Sequence, residues 1–138
     1  MPSSTAPYER TIEADVAACG AAVDLTTPIG TVPFDGVISA VTYVPTAVLT
    51  GAATNSRTLS LFNRGQAGAG TAKAATKAFV AGVDAPANDE TAITLSVTPA
   101  DLAVVAGDVL DFESLHVLTG LADPGGLVRV TISRANKE

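Results

Sequence analysis

The stretch NRGQAGAGTAK, residues 63–73, crowds three glycines between a β-rich run and a lysine, the composition of a loop that cradles phosphate. A P-loop requires G-x4-G-K-[ST], because the lysine must reach the phosphates and the hydroxyl must hold Mg²⁺. Gly65 and Gly70 have the required separation, but Thr71 and Ala72 stand where Lys and Ser/Thr belong, and Lys73 arrives two positions late. Such a loop must also open a helix inside a parallel α/β sheet, and no βαβ pattern surrounds this one. The stretch reads as the flexible tip of a hairpin, with glycine permitting positive φ.

His116 is the only histidine and Cys19 the only cysteine, so a zinc site lacks its usual ligands and an intrachain disulfide lacks a partner. Glu113 and Ser114 lie near His116 in sequence, but a catalytic triad needs a nucleophile, base and orienting carboxylate assembled in space. On an unbroken strand His116 shares a face with Leu110 and Phe112, which makes it a packed or interface residue. Cys19, beside Gly20 at a strand end, reads as a small buried hydrophobe. DAPANDE places Asp84, Asp89 and Glu90 in one loop, where hard oxygens could meet Ca²⁺. The alternating ligand spacing of an EF-hand is missing, and the segment reads as a solvated turn. No catalytic, cofactor or metal residue is assigned.

The elements around these residues are strands. TIEADVAA sets Ile12, Ala14, Val16 and Ala18 on one face against Thr11, Glu13 and Asp15 on the other. AITLSVT alternates in the same way, with Ile93, Leu95 and Val97 inward, and LVRVTIS places Val128, Val130 and Ile132 inward. GVISAVTYV (36–44) is apolar on both faces, as a central strand would be; SRTLSLFN (56–63) and GDVLDFESLHV (107–117) are β-rich, and AAVDL (21–25) is short. Segment 71–82 has the Ala and Lys content of a helix, but its neighbours are all strands and it is read as one. TPIG, VPFDG, ATN, RGQAGAG, DAPAND, VAGD and DPGG punctuate the runs, and Pro124 and Gly125 suit the centre of a type II turn. The expected fold is all-β: a single-domain antiparallel β-sandwich of jelly-roll type with about eight strands. Its parts are an extended N-terminal arm (1–10), the sandwich (11–134) and a polar tail (135–138).

Composition narrows the function classes. With 138 residues the chain fits one domain. It is 47% hydrophobic but only 4% aromatic, without Trp, so aliphatic side chains must fill the core. Only 16% of residues are charged, which favours a surface partly covered by a partner. The net charge of -6, with no basic cluster, disfavours nucleic acid as a partner. No run reaches the roughly 18 apolar residues of a membrane span. The start, MPSSTAPYER, lacks a signal-peptide pattern, so folding in a cytoplasm is expected.

The order TPIGTVPFDGVISAVTYVPTAVLTGAATNSRTLSLFNRG followed by GDVLDFESLHVLTGLADPGGLVRVTIS resembles small β-sandwich proteins encoded among the head genes of tailed bacteriophages. PFDGVI, TGAATNSRTLSLFN, AGDVL and TGLADPGGLVRVTI carry the likeness, which covers roughly residues 25 to 134. It implies a capsid decoration, or cement, protein on the outside of the virion, assembled in the host cytoplasm. Such a protein forms a homotrimer that braces the major capsid protein and needs no cofactor. In that setting residues 1–10 either lie along a neighbour or are a passive tail. Tyr8 as an aromatic anchor and Arg10 as a carboxylate partner are the candidate capsid or subunit contacts. The alternative is a phage fibre or adhesin module that binds a host-surface glycan. Such sites display exposed Trp or Tyr, and this chain has only Tyr8 and Tyr43.

Overall fold

The computed structural model describes residues 8–134. The strands are β1 (Tyr8–Val16), β2 (Leu25–Thr31), β3 (Gly36–Pro45), β4 (Ser56–Asn63), β5 (Ala72–Phe79), β6 (Thr91–Ala92), β7 (Ala103–Val104), β8 (Val109–Val117) and β9 (Gly126–Arg134). A single turn of helix, α1 (Pro99–Leu102), precedes β7.

Two antiparallel sheets face each other. One has the order β1-β9-β3-β6, with the two-residue β7 also on β3; the other has the order β2-β8-β4-β5. Apart from the β4–β5 hairpin and the β6–β7 pair on β3, successive strands pass from one sheet to the other, and the last two, β8 and β9, enter the middle of each. That is the double Greek key of a jelly roll.

Alternation in the sequence decides which residues meet. Ile38, Val41, Val128 and Val130 come from one sheet and Leu59, Leu61, Leu110 and Phe112 from the other, all buried. Tyr43 and Phe112 stack across the layers with ring centroids 5.7 Å apart. β3 is central in its sheet, flanked by β9 on one side and β6 and β7 on the other, with Ile38, Val41 and Tyr43 filling its inner face and Val37 on the outer face 44% exposed. Segment 71–82 does contain a strand, β5, because pairing with β4 from Arg57↔Phe79 to Asn63↔Ala72 overrides its helical composition.

Four boundaries differ from the sequence expectation. Residues 8–10 are not part of an arm: they pair with Arg134, Ser133 and Ile132 as the start of β1. The remainder of the expected arm, 1–7, and the tail, 135–138, lie outside the described residues. AAVDL is turn and coil up to Asp24, with only Leu25 in a strand, and TPIG, which reads as a turn, lies inside β2. β2 is an edge strand with a register shift between Pro28 and Gly30, and such a strand tolerates a proline that cannot donate.

AITLSVT is not a continuous strand either. It leaves β3 after Ala92, and the Thr94 carbonyl then accepts from Thr76 while Ser96 N–H donates to Ala74 on β5. The segment therefore crosses from the edge of one sheet to the edge of the other and closes that side of the sandwich. Ile93 is buried as expected, but Val97 lies past the crossing and is 97% exposed.

Candidate functional site: a loop end held by Arg57

Four connections cross between the sheets at one end: 17–24 (β1 to β2), 46–55 (β3 to β4), 80–90 (β5 to β6) and 118–125 (β8 to β9). Hydrogen bonds link them in series. Cys19 and Asp123 exchange two backbone hydrogen bonds of 3.0 Å. Thr46 N–H donates to Gly125 O at 2.9 Å, and Thr119 N–H donates to Asn55 Oδ1 at 3.3 Å. Leu49 and Ala85 exchange a further pair at 2.9 and 2.8 Å. The contact between 17–24 and 118–125 is close enough that a Cβ on Gly120, whose φ is +76°, would stand 1.8 Å from Ala21 O.

Beneath this belt lies Arg57, whose side chain is fully buried. It sits on the inward face of β4, in register with Leu59 and Leu61 and opposite His116 of β8. Its Nε donates to Leu121 O at 2.5 Å, and Nη1 donates to Ser114 Oγ at 2.9 Å. Nη2 reaches Gly20 O at 2.9 Å, Val23 O at 3.0 Å and Ala21 O at 3.2 Å. Ser114 Oγ donates in turn to Asp123 Oδ2 at 2.6 Å. Asp123 Oδ1 accepts from the Tyr43 hydroxyl at 2.6 Å and from Gly125 N–H at 2.9 Å. Burial and the neighbouring carboxylate raise the Tyr43 hydroxyl above the usual phenol range, so it stays a donor. A buried cation is tolerated only when its donors are matched in this way.

The Pro124–Gly125 turn takes its expected positive φ, +82° at Gly125, and the Asp123 side chain closes it by accepting Gly125 N–H. Leu118 is the unexpected residue. The turn Val117–Gly120 is closed by Gly120 N–H donating to Val117 O at 3.0 Å, and Leu118 stands at its second position with φ +60°. That backbone conformation favours glycine, and a leucine in it is strained. Its side chain is also 67% exposed.

The residues with chemical potential in the sequence are kept apart. His116 Nδ1 lies 2.5 Å from Asp24 Oδ1, and His116 N–H donates to the same oxygen at 2.9 Å. Those two bonds hold the Asp24 carboxyl below its ordinary value. Ser114 shares the face of His116, but its hydroxyl is committed to Arg57 and Asp123; Glu113 faces the opposite way and binds Arg64 at 2.6 Å. Cys19 is half-buried rather than buried, its Sγ 3.6 Å from Val23 O. Asp84 accepts Gly51 N–H, Asp89 accepts Glu90 N–H, and Glu90 pairs with Arg129. The three carboxylates of DAPANDE thus have three separate partners, and among the described residues no acidic, Cys and His group could hold a metal.

The glycine-rich loop joins β4 to β5 as strand, loop and strand at the far end of the sandwich, with Gly65 at φ +70° and Gly68 at φ +80°. Tyr8 and Arg10 do come together: Arg10 Nη2 donates to the Tyr8 hydroxyl at 3.3 Å. Tyr8 packs on Phe34 at 5.1 Å, with the Arg134 guanidinium over both rings. This cluster also lies at the far end.

Arg57 was missed in the sequence although a signal existed. It shares the parity of Leu59 and Leu61, so a charge stands in the apolar register of a strand. Comparison with known proteins adds nothing to this geometry, since no family model, curated protein or solved structure matches the chain.

Proposed function

We propose that the chain is a structural virion protein that decorates and stabilises the outer surface of a bacteriophage capsid as a homotrimer. The observation that carries this reading is the loop end itself. A jelly roll whose four crossing loops are hydrogen-bonded in series, two of them to a buried arginine, presents a rigid surface, which suits binding to another rigid surface. The sequence likeness to phage head proteins points the same way, as does the low charge of 16%. A glycan-binding module is less well supported: Tyr43 is buried, and the half-exposed ring of Tyr8 is already occupied by Phe34 beside it and the Arg134 guanidinium over it.

The test is to mix the purified chain with decoration-free shells of the virus that encodes it and to sediment them. Saturable binding in multiples of three copies per site is expected. Binding to host-envelope polysaccharide without binding to shells would replace this reading with the adhesin one.

A further inference from the structure

The loop end differs from the rest of the surface in two respects. Among the described residues nine large apolar side chains are exposed, and five of them, Val23, Val48, Val80, Val117 and Leu118, belong to this end. In addition, loops 17–24, 46–55, 80–90 and 118–125 contain no Lys or Arg, and the cations that bond to them from the strands are the buried Arg57 and Arg129 of β9. Their exposed charges are carboxylates. Glu90 is neutralised by Arg129, which leaves Asp24, Asp84 and Asp89 at the rim. Arg10, Arg64, Lys73 and Arg134 stand toward the opposite end, where they are interspersed with Glu9, Asp35 and Asp108, whereas the charges in the four loops are carboxylates alone.

We infer that this loop end is the face that docks on the shell, and that its partner is a protein surface with apolar ground bordered by Lys or Arg. The inference rests on the decoration reading above and names the surface that performs it. Three observations converge on it. Apolar tips without cations need an apolar counterpart, and a carboxylate rim selects a cationic border. Arg57 fixes loops 17–24 and 118–125 and backbone hydrogen bonds tie 46–55 and 80–90 to them before contact, so little ordering entropy is lost on binding. Leu118 is held in a backbone conformation suited to glycine while its side chain stands in solvent, a strained arrangement with no benefit to the isolated fold.

A second copy of the chain is a poor occupant. A twofold contact through this end would set Asp24, Asp84 and Asp89 of each copy against those of the other, with no cation between them. Tyr8 and Arg10, at the opposite end, are then removed from shell contact and left for contact between decorating subunits.

The experiment compares wild type with Leu118→Gly, Asp89→Lys and the far-end control Val105→Asp in sedimentation with decoration-free shells. Thermal melting confirms that each variant folds. Leu118→Gly removes the apolar tip while easing the backbone, so it should melt no lower than wild type yet lose at least about ten-fold in affinity, roughly the effect of one buried anchor. Asp89→Lys should also bind more weakly, wild-type binding should weaken with added salt, and Val105→Asp should bind as wild type does. Wild-type binding that neither loop-end variant weakens, or that Val105→Asp abolishes, would overturn this inference and leave the decoration reading standing. Absence of wild-type binding to shells would overturn both. A change in the free chain's own assembly with Leu118→Gly, without a change in occupancy, would reassign the face to self-contact.

Discussion

Arg57 and Asp123 are joined through a single hydroxyl: Ser114 Oγ accepts from Arg57 Nη1 at 2.9 Å and donates to Asp123 Oδ2 at 2.6 Å. The pair sits where two crossing loops meet, and each charge is also tied to backbone, Arg57 to four carbonyls and Asp123 to Gly125 N–H. The network therefore couples the core strands to the surface shape of the loop end.

Removing the cation should be severe. Arg57→Ala leaves the buried Asp123 without its cation and four part-buried carbonyls without their donor, and unfolding in urea should show a loss of about 3–5 kcal/mol. Ser114→Ala removes only the bridging hydroxyl and should lose about 1–3 kcal/mol. Arg57→Lys should also destabilise strongly, because an ammonium cannot supply the planar fork. Wild-type stability in Arg57→Lys would show that the guanidinium geometry is immaterial.

Leu118→Gly should behave oppositely in the isolated chain. With φ at +60° and the side chain largely in water, relief of backbone strain outweighs the small loss of packing. A gain of up to ~1 kcal/mol is expected in the same urea titration. A clear loss would mean that the leucine packs usefully on its own molecule.

How far the fold could be read from sequence depends on what alternation encodes. Val128, Val130 and Ile132 alternate because one face is buried, and their strand is found where expected. Ile93 and Leu95 alternate for the same reason, yet they belong to a crossing between sheets, since periodicity reports burial and not pairing partners. Pro28 and Gly30 looked like a turn because their local chemistry is that of one, and only the edge position of β2 makes them compatible with a strand. The loop end was hidden more deeply. Arg57 advertises itself by parity alone, while Ser114, Asp123 and Tyr43 come from three other segments that only the fold unites.

The two tyrosines should separate on alkaline titration. Arg10 lowers the Tyr8 hydroxyl through a hydrogen bond and its charge, whereas burial and Asp123 raise that of Tyr43. A raised folded value means that the Tyr43 contribution to stability is complete below the unfolded phenol value near ~10 and declines as pH rises above it. Phenolate absorbance should therefore rise in two steps, Tyr8 first and Tyr43 only together with loss of the circular dichroism of the fold. Ionisation of both tyrosines in one step before unfolding would contradict the buried Tyr43–Asp123 bond.

Acid should act through Asp24. Its folded value lies below the unfolded one because His116 N–H and the His116 ring bind the carboxylate. That contribution is present above the unfolded value near ~4 and is lost as pH falls through the folded one. The stability difference between wild type and Asp24→Asn should shrink as pH falls below about 4. A difference independent of pH would show that the His116 contact does not favour the charged form.

Cryo-electron microscopy of decoration-free capsids incubated with the protein reads the orientation of the chain on the shell. Jelly-roll density is expected on the outer surface, grouped in threes, with loops 17–24 and 118–125 against the shell and the Tyr8–Arg134 end directed away. Density in the reverse orientation, or bare shells at saturating protein, would contradict that placement.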